Sequence, residues 1–180
     1  MEKATLAGGC FWCMEAVFKR LKGVSKVTSG YAGGKMENPS YEDVSMGKAG
    51  HAEAIQIEFD PKVISFTKLL DIFWALHDPT TLNRQGSDIG TQYRSAIFYH
   101  SQSQKRIAEL SKKRADKSGV VNGKIVTEIK SFTNFYPAED YHQNYYERNK
   151  NFNRYCLLVI DPKIDKLIEK FNKFVKKEFL

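Results

Sequence analysis

The chain has 180 residues, a formal net charge of +7 and three cysteines, and its length allows a buried core without disulfide staples. The odd, low cysteine count argues against a secreted disulfide framework. No stretch near the start has the sections of a signal peptide, so a cytoplasmic protein is expected. The lysines are dispersed, with no polybasic block, no nucleic-acid motif and no apolar run near the roughly 20 residues that span a bilayer. Neither nucleic acid nor membrane is therefore an expected partner.

No repeat, low-complexity tract or linker interrupts the sequence, which implies one domain over 1–180. Residues 3–8 (KATLAG) read as a strand that runs into Gly8-Gly9. Met14, Val17, Phe18 and Leu21 then follow a helical period, with Gly23 as its stop. Residues 24–34 read as a strand ending in a glycine-rich loop, and "HAEAIQIEFDP" (51–61) alternates as a strand should. Ser65 fits the N-cap of a helix with the stripe Phe66, Leu69, Leu70, Phe73, Trp74 and His77. A fourth strand is predicted over 93–100, a polar helix over 101–118 and an edge strand over 124–129. Stretches 32–50, 78–92 and 130–140 read as long irregular loops, which are usually functional. Ile164, Leu167, Ile168, Phe171, Phe174 and Val175 form one stripe of a basic amphipathic helix over 161–180. Packing of that helix on the parent domain is favoured over lying on a membrane. The order strand–helix–strand–strand–helix–strand predicts an α+β two-layer sandwich. Its core would be a split βαβ (ferredoxin-like) unit with a mixed, mainly antiparallel sheet.

The stretch "GGCFWCMEAVF" (8–18) carries the first chemical signal. A cysteine at a helix start lies at the positive end of the helix dipole, where the thiolate is favoured. Glycines before it allow another segment to approach the sulfur. Phe11 and Trp12 come too early for the helix stripe and suit an apolar wall beside Cys10. Two other readings stay open from the motif alone: a buried structural cysteine, and half of a zinc site. Zinc would need further ligands from Cys156, His51, His77, His100 or His142, and there is no second C-x-x-C. The second signal is Glu53, which shares a strand face with Ile55, Ile57 and Phe59. Burial there would keep its carboxyl protonated near neutral pH, as a general acid requires; at an open strand end it would be solvated.

"GGCFWCMEAVF", "SGYAGG", "NPSYEDV", "GHAEAIQIEFDP", "HDPTTLNRQGSDIGTQYRSAIFY" and "FYPAEDYHQNYY", in this order across about residues 5–157, resemble the peptide methionine sulfoxide reductases of the A class (MsrA family). The resemblance implies reduction of methionine-S-sulfoxide, free or in oxidised proteins. Thioredoxin would be the reductant, or dithiothreitol in vitro, with no bound cofactor and no metal. It implies Cys10 as nucleophile, Glu53 as acid, and Tyr41 and Tyr93 as hydroxyls that hold the sulfoxide oxygen. Phe11 and Trp12 match the pocket for the substrate methyl group, Asp88 a pocket acid, and His142 a position beside the site. The Cys10 sulfenic acid would be resolved by a second thiol. Some members of the family have glycine at position 13 and rely on a cysteine near the C-terminus, whereas this chain has both Cys13 and Cys156. Resolution by Cys13, by Cys156 or by a relay through both stays open. Cys13 is expected to attack first because it is tethered one helical turn away, whereas Cys156 lies in an asparagine-rich segment read as a mobile loop. Two other classes remain alternatives: a general thioredoxin-like dithiol oxidoreductase, and a non-catalytic zinc- or peptide-binding module.

Overall fold

The computed structural model describes all of residues 1–180. In chain order its elements are β1 (Glu2–Gly8), α1 (Phe11–Phe18), β2 (Val24–Ala32), α2 (Tyr41–Ser45), β3 (Ala52–Phe59) and α3 (Phe66–Leu76). A short hairpin of β4 (Arg84–Gln85) and β5 (Asp88–Ile89) follows, then β6 (Ser95–Tyr99) and α4 (Gln102–Ser118). The chain ends with β7 (Glu128–Ser131), β8 (Phe135–Pro137), α5 (Tyr145–Asn149) and α6 (Asp161–Phe171).

One six-stranded sheet has the order β7-β6-β1-β3-β2-β8. Its inner four strands, β6-β1-β3-β2, are antiparallel throughout and are crossed over by α1 and α3. This is the expected split βαβ core; only the edge pair β6–β7 is parallel. The side-chain alternation divides the sheet cleanly. Leu6, Tyr31, Ile55, Ile57, Phe59 and Ile97 face the helices and join the main core. Ala7, Ala32, Ala52, Ala54 and Ala96 face the other way with Phe98, and Phe132 and Phe135 pack over them. Residues this small leave room for a loop cover instead of a second helical layer.

Several elements depart from expectation, most of them through a long-range contact. α1 ends at Phe18, and Leu21 instead forms a bridge with Val175. Seven of the eight α1 residues are buried, because α5 and α6 cover the face turned away from the sheet. The edge strand starts at Glu128, not Lys124, in register with β6. The loop over 130–140 contains β8, paired with Gly30–Ala32. The Gln143 side chain extends that pairing, accepting from Ser29 N–H at 3.0 Å and donating to Ser29 O at 2.9 Å. The loop over 32–50 contains α2, closed by a capping box between Ser40 and Asp43. The C-terminal helix does not reach residue 180: it stops at Phe171. Two short 3-10 turns, Asn172–Phe174 and Lys177–Phe179, follow, and the bonds from Lys22 N–H to Phe174 O and from Lys176 N–H to Arg20 O hold Val175 and Lys176 extended between them. No helix is long and apolar enough to cross a membrane.

Candidate active site

Cys10 is the N-cap residue of α1, set by a turn in which Gly9 has φ +93°. A Cβ at Gly9 would stand 2.5 Å from the Gln85 side chain, so the glycine lets the β4–β5 hairpin close over the start of α1. Cys10 and Cys13 are one turn apart, linked through the Cys13 N–H to Cys10 O bond at 3.1 Å. Both thiols are free and buried.

Glu53 opens the apolar row of β3 and is only 3 % exposed. Its Oε2 accepts the Phe11 N–H at 3.0 Å, which fixes the carboxyl beside the start of α1. Burial raises its pKa to about 8, against the opposing pull of that N–H. Since Oε2 takes the N–H, the other oxygen is the one free to carry the acid proton. The same burial, reinforced by Cys13 and Glu53, pushes the Cys10 thiol well above its ordinary range. The helix dipole was expected to favour the Cys10 thiolate; desolvation outweighs it. Cys13 is the more acidic thiol, lowered to about 7 chiefly by its hydrogen bond to Cys10, with Lys163 and Tyr155 adding to the effect.

Around these groups the fold gathers the remaining residues. Phe11 packs against the Tyr31 and His142 rings at 5.8 and 5.1 Å between centroids. Trp12 stacks on Tyr145 at 3.6 Å, and its Nε1–H donates to His142 Nδ1 at 3.1 Å. That bond assigns the other ring hydrogen of neutral His142 to Nε2, and burial favours the neutral ring. Tyr41, the first residue of α2, lies 4.5 Å from the His142 ring. Glu139 positions this group by accepting from the Tyr41 N–H and the Tyr31 hydroxyl. Burial raises the Tyr41 phenol to about 12 and the Tyr93 phenol further, and both sense Glu53 and Asp88. They remain protonated, as hydrogen-bond donors must.

Cys156 is fully buried, packed with Cys10, Cys13, Ala16, Ile160 and Ile164. It opens a π-helical turn (Cys156–Ile160) that runs into α6. The expected mobile loop is therefore a packed turn. The asparagines that suggested mobility brace it: Asn153 Oδ1 accepts from Tyr155 N–H, and Asn153 Nδ2 donates to the Tyr145 hydroxyl, both at 2.8 Å.

The structure brings Cys10, Phe11, Trp12, Cys13, Tyr41, Glu53, Asp88, Tyr93, His142 and Cys156 into one region. It adds Tyr155, which sequence reasoning missed. The Tyr155 hydroxyl donates to Asp88 Oδ2 at 2.7 Å and lies 3.8 Å from Cys13 Sγ, with its ring edge-on to Trp12. Its only sequence signal was its place beside Cys156. No three His, Cys, Asp or Glu side chains converge as a metal site would require.

The family model described as peptide methionine sulfoxide reductase matches residues 2–176. A protein of Sulfolobus acidocaldarius named peptide methionine sulfoxide reductase MsrA is 56 % identical over 171 residues, covering 95 % of this chain and 96 % of its own length. Among solved structures, reduced Mxr1 of Saccharomyces cerevisiae superposes with a TM-score of 0.77 at 38 % identity, over 84 % of this chain and 87 % of that one. The same yeast protein in complex with Trx2 gives 0.55 at 32 % identity, over 80 % and 84 %. A thiol at a helix start, an acid held against the next residue's N–H and a match along nearly the whole chain lead to one conclusion: this chain belongs to the peptide methionine sulfoxide reductase family, A class, and reduces methionine sulfoxide at a cysteine.

Proposed function

We propose that the chain, as one catalytic domain over 1–180, is a peptide-methionine (S)-S-oxide reductase. It acts in the cytoplasm on free methionine-S-sulfoxide and on oxidised proteins. The observation that carries this reading is the 3.0 Å bond between Glu53 and the Phe11 N–H, which couples a protonated acid to the thiol at the start of α1. In the first step Cys10 attacks the sulfoxide sulfur while Glu53 gives its proton to the sulfoxide oxygen. The oxygen passes to the Cys10 sulfur, methionine leaves, and Cys10 becomes a sulfenic acid. Atoms balance because the sulfoxide oxygen ends in that acid with the hydrogen from Glu53, and Glu53 takes up the thiol hydrogen in its place. A high Cys10 pKa is compatible with this route, since Glu53 receives the thiol proton.

Phe11 and Trp12 receive the substrate methyl group, and Tyr41 and Tyr93 donate to the oxygen as charge develops on it. Asp88 and His142 complete the pocket. Cys13 attacks the sulfenic acid first, releasing water and forming the 10–13 disulfide; Cys156, packed beside the pair, carries the disulfide onward or substitutes for Cys13. Thioredoxin, or dithiothreitol in vitro, then reduces it by exchange; the yeast relative captured with Trx2 supports a protein dithiol in that role. No bound cofactor takes part.

The test supplies S- and R-methionine sulfoxide separately with dithiothreitol and follows methionine. The wild type consumes only the S epimer, and Cys10→Ser is inactive because serine is neither ionised nor comparably nucleophilic. Equal rates on both epimers, or appreciable turnover by Cys10→Ser, would overturn the reading.

A further inference from the structure

The Tyr155 hydroxyl touches two groups with different needs. It has a single proton, and the geometry spends that proton on Asp88 Oδ2 at 2.7 Å. The 3.8 Å contact with Cys13 Sγ has no fixed direction of its own; while Cys13 is a thiol and the phenol proton lies on Asp88, the phenol oxygen accepts there and the thiol donates. Cys13 S–H, Tyr155 O–H and Asp88 thus form a directed chain of donors that ends on a carboxylate. We propose that Tyr155 relays the Cys13 proton to Asp88 during attack on the Cys10 sulfenic acid. The inference deepens the reading above, because it rests on Cys13 as the first resolving thiol.

The step balances. The Cys13 sulfur forms a bond to the Cys10 sulfur as the Cys10 S–O bond breaks. The thiol proton passes to the Tyr155 oxygen while the phenol proton passes to Asp88. The departing hydroxide takes a proton from Glu53 and leaves as water. Cys10 is reduced from the sulfenic to the disulfide level, and Cys13 is oxidised to it. Tyr155 is also within hydrogen-bond reach of Cys10. At this stage Cys10 is a sulfenic acid whose oxygen leaves with its hydrogen as water, so Cys13 is the group that must give up a proton to the relay. Cys13 is only 1 % exposed, so its proton needs a route through neighbouring side chains.

Ionisable groups from each packed element bear on Cys13: Cys10 on α1, Glu53 on β3, Asp88 on β5, Tyr155 and Cys156 at the π-turn, and Lys163 on α6. Only Tyr155 joins a hydrogen-bond contact with Cys13 to one with a carboxylate. Tyr155→Phe removes that link and keeps the ring against Trp12.

The experiment uses the Cys156→Ser chain, in which a 10–13 bond is the sole intramolecular disulfide, with and without Tyr155→Phe. One equivalent of methionine-S-sulfoxide is added in single turnover. Methionine release and disulfide formation are followed separately from pH 5.5 to 7.5, and folding is checked by thermal melting. Disulfide formation with the relay intact should be nearly flat in pH. In Tyr155→Phe it must draw on thiolate already present. Oxidation of Cys10 and loss of the phenol remove two of the causes that lower the Cys13 thiol, so little thiolate is present at pH 5.5 and the deficit should shrink by about tenfold per pH unit as pH rises. A purely structural loss would slow the step without that slope. If the bond forms at the same rate and with the same pH profile in Tyr155→Phe, the relay is wrong while Cys13 stays the resolving thiol. If the parent Cys156→Ser chain accumulates sulfenic acid instead of the 10–13 bond, the assignment of Cys13 fails, and the relay with it.

Discussion

Glu53→Gln should weaken catalysis and strengthen the fold, with both effects following from one buried carboxyl. The folded-state pKa is about 8 against about 4.5 unfolded. The folded chain therefore holds an extra proton between those values, and stability is full below about pH 4.5 and is lost as pH rises through 8. Integrating over that window gives a cost of about 3 kcal/mol at pH 7 and about 4 kcal/mol at pH 8. Glutamine keeps the shape and an oxygen for the Phe11 N–H but has no proton to lose, so it escapes this cost. Denaturant unfolding of both chains across pH 4.5–8 should give curves that nearly meet at the acid end. By pH 8 the variant should be more stable by several kcal/mol, or about 10 °C in Tm for a chain of this size. In the same variant, single-turnover sulfenic acid formation should slow by about 10²–10⁴-fold, because the transferable proton is gone. In the wild type that step should fall about tenfold per pH unit above 8. A constant stability difference between the two chains at all pH values would show that Glu53 is solvated and not a raised-pKa acid. An unchanged single-turnover rate would show that it is structural.

Two substitutions probe the supports of the site. Gly9→Ala places a Cβ at positive φ and against Gln85; it should cost about 1–3 kcal/mol by chemical denaturation and reduce kcat as Cys10 shifts. Full stability and activity would mean that the turn relaxes freely. Trp12→Phe keeps an apolar wall but strands the buried His142 Nδ1 that accepts the indole N–H. It should cost about 1–3 kcal/mol and raise KM more than it lowers kcat; an unchanged KM would remove Trp12 from the methyl pocket.

The sequence by itself determined the parts of this protein that depend on local periodicity and local chemistry. Alternation in 51–61 put Glu53 on the face of Ile55, Ile57 and Phe59, and that register is what buries it. Ser65 caps α3 through its own side chain, as its spacing predicted, because that interaction spans only three residues. The segments that resemble the family pointed to Cys10, Glu53 and the aromatic residues that the fold gathers around them. What only the tertiary structure decided involves partners far apart in the chain. β8 exists because Gly30–Ala32 offers an edge, and nothing within Phe135–Pro137 announces it. Cys156 is buried because residues more than a hundred positions away pack against it. The Cys10 thiol is set by desolvation from several elements at once, which overrides the local dipole. Tyr155 meets Asp88 across 67 positions; a hydrogen bond of that separation leaves no periodic trace in a single sequence, because it depends on how whole elements pack rather than on the spacing of neighbours.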